Sequence, residues 1–239
     1  MSSTPGAPRR ANFAESDTGL DQLLAIGVEP VAPGVDARLL HDDEGATASL
    51  IRLAPGALFR PANHCGVREF LAIQGDLEFD GNEMRRFDYF LAGVADSAAS
   101  VRSVGGALLY QRNVQGPGNS FSSIGRSRLV RAGAAGWEPL RRGVTIKTLA
   151  ASEDRVSMLA RLEPGVSMPT HSHRFGEECL MLDGEMFLDD VLLRTGDFQW
   201  APAGTRHGTL DSDVGCLVFI HAAIDPTLAD PDSCRETAV

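Results

Sequence analysis

The chain is written twice. Shifted back by 109 positions, Glu138-Pro139 falls on Glu29-Pro30, Gly143-Val144 on Gly34-Val35, Arg161-Leu162 on Arg52-Leu53 and Pro164-Gly165 on Pro55-Gly56, with no gap. The same shift carries His173 onto His64, Glu178 onto Glu69, Gly184 onto Gly75 and Asp197 onto Asp88. Self-similarity over this length means that one structural plan is used twice, so the 239 residues hold two copies of a domain of roughly 85 to 110 residues rather than one large core.

Within each copy the apolar residues come in short runs closed by Gly, Asp and Pro, and 25 Gly and 13 Pro suit many strands joined by tight turns. Strands are predicted over 35–41, 46–53, 69–73, 77–80, 87–91, 99–104 and 107–113. Their counterparts are predicted at 145–150, 156–162, 178–182, 198–201 and 216–222. The fold class is therefore all-β, an antiparallel sandwich or barrel in each half. Residues 1–18 read as a disordered tail, 19–114 as the N-terminal domain, 115–126 as a linker around Gly116-Pro117-Gly118-Asn119-Ser120, 127–225 as the C-terminal domain, and 226–239 as a polar tail. A short helix over 19–26, capped by Thr18 or Asp21, is expected to pack on the first domain, and a strand shared between the halves is expected at 129–132.

One copy carries a concentration of metal-ligating side chains. His171 and His173 are two apart, so on a strand both point to the same side; Glu177 follows after Arg174-Phe175-Gly176, and His207 follows the turn Pro202-Ala203-Gly204. Three imidazoles and one carboxylate are the donors a divalent transition metal takes, and core packing gives no reason to collect them. Glu178 competes with Glu177 for the acidic position, but strand parity favours Glu177. Zinc is the first choice of ion; iron, manganese, nickel or copper fit the same donors. His221, Cys179 and the aromatic and thioether residues Trp200, Phe187, Phe198 and Met181 read as core, and Arg206 as an exposed turn residue.

The other copy places Ala62, His64, Arg68 and Ala98 where these four stand. One imidazole beside an Arg repels a cation, so the N-terminal copy is expected to be metal-free. What stays there is either a satisfied polar cluster, with Glu69 paired to Arg68 or His64, or a vestigial pocket for an organic anion on Arg68 and His64; the first is favoured.

The run Gly165, His171, His173, Glu177 and Gly184, followed by Gly196, Pro202, Gly204 and His207, resembles both signature motifs of the cupin superfamily in residue type and spacing. It departs at Asp211, where those motifs often have Asn. Trp137-Glu138-Pro139, Gly143-Val144 and Glu177-Glu178 resemble the cupin domain of ChrR-type anti-sigma factors and of acetylacetone-dioxygenase-like relatives, over residues 137 to about 221. The resemblance implies two tandem cupin jelly-roll β-barrels, a bicupin. It also implies two function classes: a ligand-binding, regulatory sensor with zinc in the C-terminal barrel, which is favoured, or a metal-dependent dioxygenase acting on a small dicarbonyl-like or organic-acid substrate. ChrR-type proteins carry an N-terminal zinc domain built on His and Cys. No His or Cys precedes His41, so direct sigma-factor binding is not expected. Cupins commonly pair through edge strands, which implies a homodimer.

A formal charge of −10 disfavours nucleic acid and anionic membranes as partners, leaving a small-molecule ligand. The longest apolar run, 217–224, is interrupted by His221 and too short to span a bilayer. Cys65, Cys179, Cys216 and Cys234 form no CxxC pair, which suits reduced thiols and a cytoplasmic location.

Overall fold

The computed structural model describes residues 28–43, 45–61, 66–93, 100–114, 127–134, 136–225 and 228–229. The expected N-terminal tail, the helix at 19–26, the linker, Ala62, His64, Ala98 and nearly all of the C-terminal tail lie outside them. The described residues form two compact units, one ending at 134 and one beginning at 136. Their regular elements are all strands, and every pairing is antiparallel.

In the first unit the larger sheet runs in the order Glu29–Ala32, Val35–Asp43, Ala46–Leu53, Ala107–Val114, Val67–Gly75, Tyr89–Ala92, Arg128–Val130. A four-stranded sheet, Leu58–Phe59, Val101–Arg102, Leu77–Phe79 and Asn82–Met84, faces the same core. Apart from the hairpins within 29–53 and 77–84, neighbours in these sheets are distant in sequence, the connectivity of a jelly roll. Alternate residues of each strand, such as Ile51 and Leu53 or Phe70 and Ala72, point into the barrel. Phe79 stacks on Phe90 at 4.0 Å and tilts against Phe70 at 4.7 Å between ring centroids, filling the interior.

The second unit repeats the plan. Glu138–Arg141, Val144–Ala151, Arg155–Leu162, Cys216–Ala223 and Glu177–Leu188 lie side by side, and Val191–Arg194 and Phe198–Ala201 also pair with the last. Even irregularities recur at the same spacing: the bulge between Leu39 and His41 returns between Thr148 and Ala150. Gly75 and Gly184 both have φ near +80° (83° and 74°), and a Cβ on either would collide with the carbonyl oxygen of Gly106 or Gly215. Only glycine meets both demands. Where the first barrel has Phe70, Phe79 and Phe90, the second has Cys179, Leu188 and Gln199. Its interior is correspondingly less filled.

The strand at Arg128–Val130 pairs with Tyr89–Ala92 of the first unit, whereas the sequence reading counted residues from 127 on with the second half. Asp88 is the reason: its carboxylate accepts from Arg131 Nη1 (2.9 Å) and from Ala132 N (2.8 Å), tying this segment to the first barrel. Among the described residues no helix is long and apolar enough to cross a membrane.

Candidate metal centre

Two short strands make the site. His171–Ser172 pairs with Arg206–His207, and the backbones of His171 and His207 stand directly opposite each other. The turn expected at Pro202 holds this pairing in place: Thr205 Oγ1 donates to Pro202 O (2.5 Å), Gly204 N to His173 O (2.7 Å), and His173 N to Thr205 O (2.9 Å). Gly208 N donates to Asp189 Oδ2 (3.0 Å), which anchors the far side of the same strand. The two motifs, some thirty residues apart, are thus brought together by main-chain hydrogen bonds rather than by side chains.

Glu177 begins the long central strand, and its carboxylate comes to 3.9 Å from His171 Nε2 and 3.6 Å from His173 Nδ1. One donor atom from each of these three residues lies within 4.8 Å of the other two. Ligands about 2.0–2.2 Å from a shared ion stand roughly 3–4.4 Å apart, so the donor set fits a divalent cation with small adjustments. His171 Nδ1 lies 3.2 Å from Pro169 O. A carbonyl only accepts, so Nδ1 carries the proton in that contact, and Nε2, the nitrogen facing Glu177, keeps its lone pair. A hydrogen bond of this kind behind a ligand fixes both tautomer and ring orientation. The side chains of His173 and Glu177 are buried.

Cys179 lies on the same face as Glu177, and its Sγ donates to Glu177 Oε1 at 3.7 Å. Burial pushes its thiol well above the ordinary range, with the Glu177 charge and hydrogen bond adding to the effect. The thiol is therefore a donor that steadies the carboxylate. Glu178 faces the opposite side of the strand, fully buried, with Trp200 and His221 as cross-strand neighbours. His221 is a core histidine with Nδ1 at 2.8 Å from Ser157 Oγ. Gly176 is needed because the Trp200 ring lies against it: a Cβ there would enter the ring.

The three donors sit on the wall of a cavity of about 280 Å³. The rest of the wall is mainly Ile146, Val156, Met158, Met186, Val218 and Ile220, with Thr148, Ser172 and Asp225 as polar exceptions; no Lys or Arg among the described residues lines it. Met181, Phe187, Phe198, Trp200 and Arg206 do not reach it. Apart from the three donors and Cys179, the residues that do were not singled out in the sequence. Their signal was strand parity relative to Glu177, which becomes readable only when the pairing of Arg155–Leu162 with Cys216–Ala223 is known.

In the first unit Arg68 is buried at the position of Glu177. Glu69, on the other face of that strand, pairs with Arg112 Nη1 at 3.0 Å and accepts from the Tyr89 hydroxyl at 2.7 Å, while the expected partner His64 lies outside the described residues.

Comparison with known proteins agrees with this architecture. The family model of the ChrR cupin-like domain matches twice, over residues 22–111 and 126–223. No curated protein matches the chain. Among solved structures, a protein of Pseudomonas aeruginosa described as glyoxylate-induced superposes with a TM-score of 0.69 at 15% identity, covering 94% of this chain and 95% of that one. A candidate dioxygenase of Nostoc punctiforme gives 0.65 at 14% identity, covering 82% and 75%. Oxalate decarboxylase of Bacillus subtilis, with Mn(II) centres, gives 0.59 at 15% identity, covering 80% and 74%. At such identities the likeness concerns fold alone. With both halves matched by one family model and folded to one plan, the chain belongs to the ChrR cupin-like family and is a bicupin of the cupin superfamily.

Proposed function

We propose that the second barrel binds one divalent transition metal through His171, His173, Glu177 and His207, and that this site receives a small, largely apolar ligand in a regulatory, sensing role. The observation that carries the reading is the cavity: a wall of aliphatic and thioether side chains opening directly onto two imidazoles and a carboxylate. Such a wall gives nothing to a multiply charged acid but covers a hydrocarbon body well. The bound ion would supply a Lewis-acidic centre for an oxygen donor of the ligand. The protein's own contribution is to orient His171 through Pro169, steady Glu177 through Cys179 and exclude water around the apolar part. Zinc is the ion this role needs, since it brings no redox chemistry.

The second reading is a metal-dependent dioxygenase acting on a dicarbonyl-like compound, supported by the same enclosed cavity, which has room for substrate beside the donors. Metal analysis of protein purified without added metal, followed by oxygen-consumption assays after Fe(II) loading with a panel of β-dicarbonyl compounds, separates the two. Bound zinc without turnover supports the sensor; turnover that follows iron content replaces it with the enzyme. His173→Ala and His207→Ala are each expected to abolish stoichiometric metal while His64→Ala leaves it unchanged. Equal losses from all three would mean that the first barrel also holds an ion.

A further inference from the structure

The cavity of the second barrel has two unlike ends. Val156, Met158, Ala160 and Leu162, every second residue of one strand, all line it, and Ala222, Ile220 and Val218 stand opposite the first three. Glu178 pairs with His221, so Glu177, one step on, shares the level of Val156 and Ala222, and Cys179 shares that of Met158 and Ile220. The polar wall groups stay at this end: Ser172 lies between the two His donors in sequence, Asp225 past the end of the last strand, and Thr148 opposite Met158. Below the Met158 level every wall residue is apolar. Ile146 faces Ala160 there, and Val144 faces Leu162 at the far end.

Ala160 is four residues from Val156, about 13 Å along a strand, and has the smallest side chain at its level. It leaves the passage open between the donors and the far end. A cavity of about 280 Å³ holds about nine heavy atoms at roughly 30 Å³ each, the share of a water molecule in the liquid. The charge count is equally restrictive. With three neutral imidazoles and one carboxylate around it, a divalent ion keeps one positive charge uncompensated, and a net charge enclosed by apolar walls is costly. One negative charge on the ligand removes it. A second has no partner at the far end, because no Lys or Arg among the described residues lines the wall.

We propose, on the basis of the metal site put forward above, that the ligand is an unbranched monocarboxylate of about six to eight carbons. Its carboxylate sits at the end formed by His171, His173 and Glu177, and its tail runs along Arg155–Leu162, past Ala160, toward Val144. Ala160 is then the residue that sets the chain length the barrel accepts.

Isothermal titration of the full, zinc-loaded chain with butyrate, hexanoate, octanoate and suberate tests the assignment, with the metal content of each sample measured alongside. Affinity is expected to rise about fourfold for each methylene added from butyrate to octanoate. Suberate, as long as octanoate but charged at both ends, is expected to bind about a hundredfold more weakly than octanoate. Stripping the metal is expected to weaken octanoate about thirtyfold or more. Ala160→Leu is expected to keep one metal per chain and the affinity for butyrate, while bringing octanoate down to the level of butyrate. A chain that holds one metal but binds butyrate and octanoate alike overturns the ligand assignment and leaves the metal site standing; so does suberate binding as tightly as octanoate, or octanoate binding that is undiminished without metal. A chain that takes up no metal overturns the metal site and the assignment with it. Should Ala160→Leu fail to fold, the chain-length series and the suberate comparison on the unsubstituted chain decide.

Discussion

At the scale of single residues, Gly176 shows how a side chain outside the ligand set controls it. A methyl group there would have to displace the Trp200 ring, and the next residue is Glu177. Gly176→Ala is expected to lower stability by about 1–3 kcal/mol, the usual cost of overpacking, and to weaken metal binding as Glu177 shifts. Thermal melts with and without metal, together with a competitive chelator titration, check both effects; an unchanged metal affinity would show that the Trp200 contact does not set the carboxylate. Asp76 makes a second residue-scale case. The backbone N–H of Val104, followed by that of Gly105, holds its carboxyl below the ordinary value. A depressed pKa in the folded state gives stability that is present above the unfolded value of about 4 and is lost as pH falls through the folded value. Asp76→Ala should therefore flatten the acid limb of the stability–pH curve below about pH 4 and leave its slope near neutrality alone, as followed by urea unfolding across that range.

At the scale of elements, strand parity sorts the chemistry. On Glu177–Leu188 it sends Glu177 toward the cavity and Glu178 toward Trp200 and His221, and on Val67–Gly75 it sends Arg68 inward and Glu69 to Arg112. The Glu69–Arg112 pair is almost fully buried and supported by Tyr89, so removing one charge breaks a buried ion pair. Glu69→Ala is expected to cost about 3–5 kcal/mol. Tyr89→Phe, which removes a single hydrogen bond to a charged group, is expected to cost about 1.5–3 kcal/mol. Denaturant midpoints measure both, and a near-neutral Glu69→Ala would show that the pair contributes no stability. Strands such as Ala46–Leu53 and Phe198–Ala201 were readable in the sequence at their true limits, because alternation or a bounded apolar run marks them. The two-residue pieces His171–Ser172, Arg206–His207 and Leu58–Phe59 were not, since so few residues carry no period. The break expected after Leu182 is also absent: the strand runs on through Gly184 to Leu188, its glycine serving close approach to Gly215 rather than a stop.

At the scale of the whole molecule, the two units differ in how they can be observed. Both tryptophans, Trp137 and Trp200, belong to the second unit, and both tyrosines, Tyr89 and Tyr110, to the first. Stripping the metal with a chelator is expected to lower the unfolding temperature seen by tryptophan fluorescence while leaving the tyrosine signal of the first unit in place. A ligand at a hundred times its Kd contributes about 2.7 kcal/mol to the state that binds it, which sets the size of the shift. Equal shifts in both signals would reject an ion confined to one barrel. The sequence by itself determined the duplication, the all-β class and the set of side chains suited to a cation, because a repeat, an alternation and a ligand spacing are local patterns along the chain. Only the tertiary structure decided that Arg128–Val130 completes the first barrel, that Asp88 holds it there, and that Met158, Val218 and Ile220 wall a cavity beside Glu177 while Gln111 and Asn113 flank Arg68. Those facts depend on which strands become neighbours, and hydrogen-bond pairing between strands some forty to sixty residues apart leaves no mark on either strand alone.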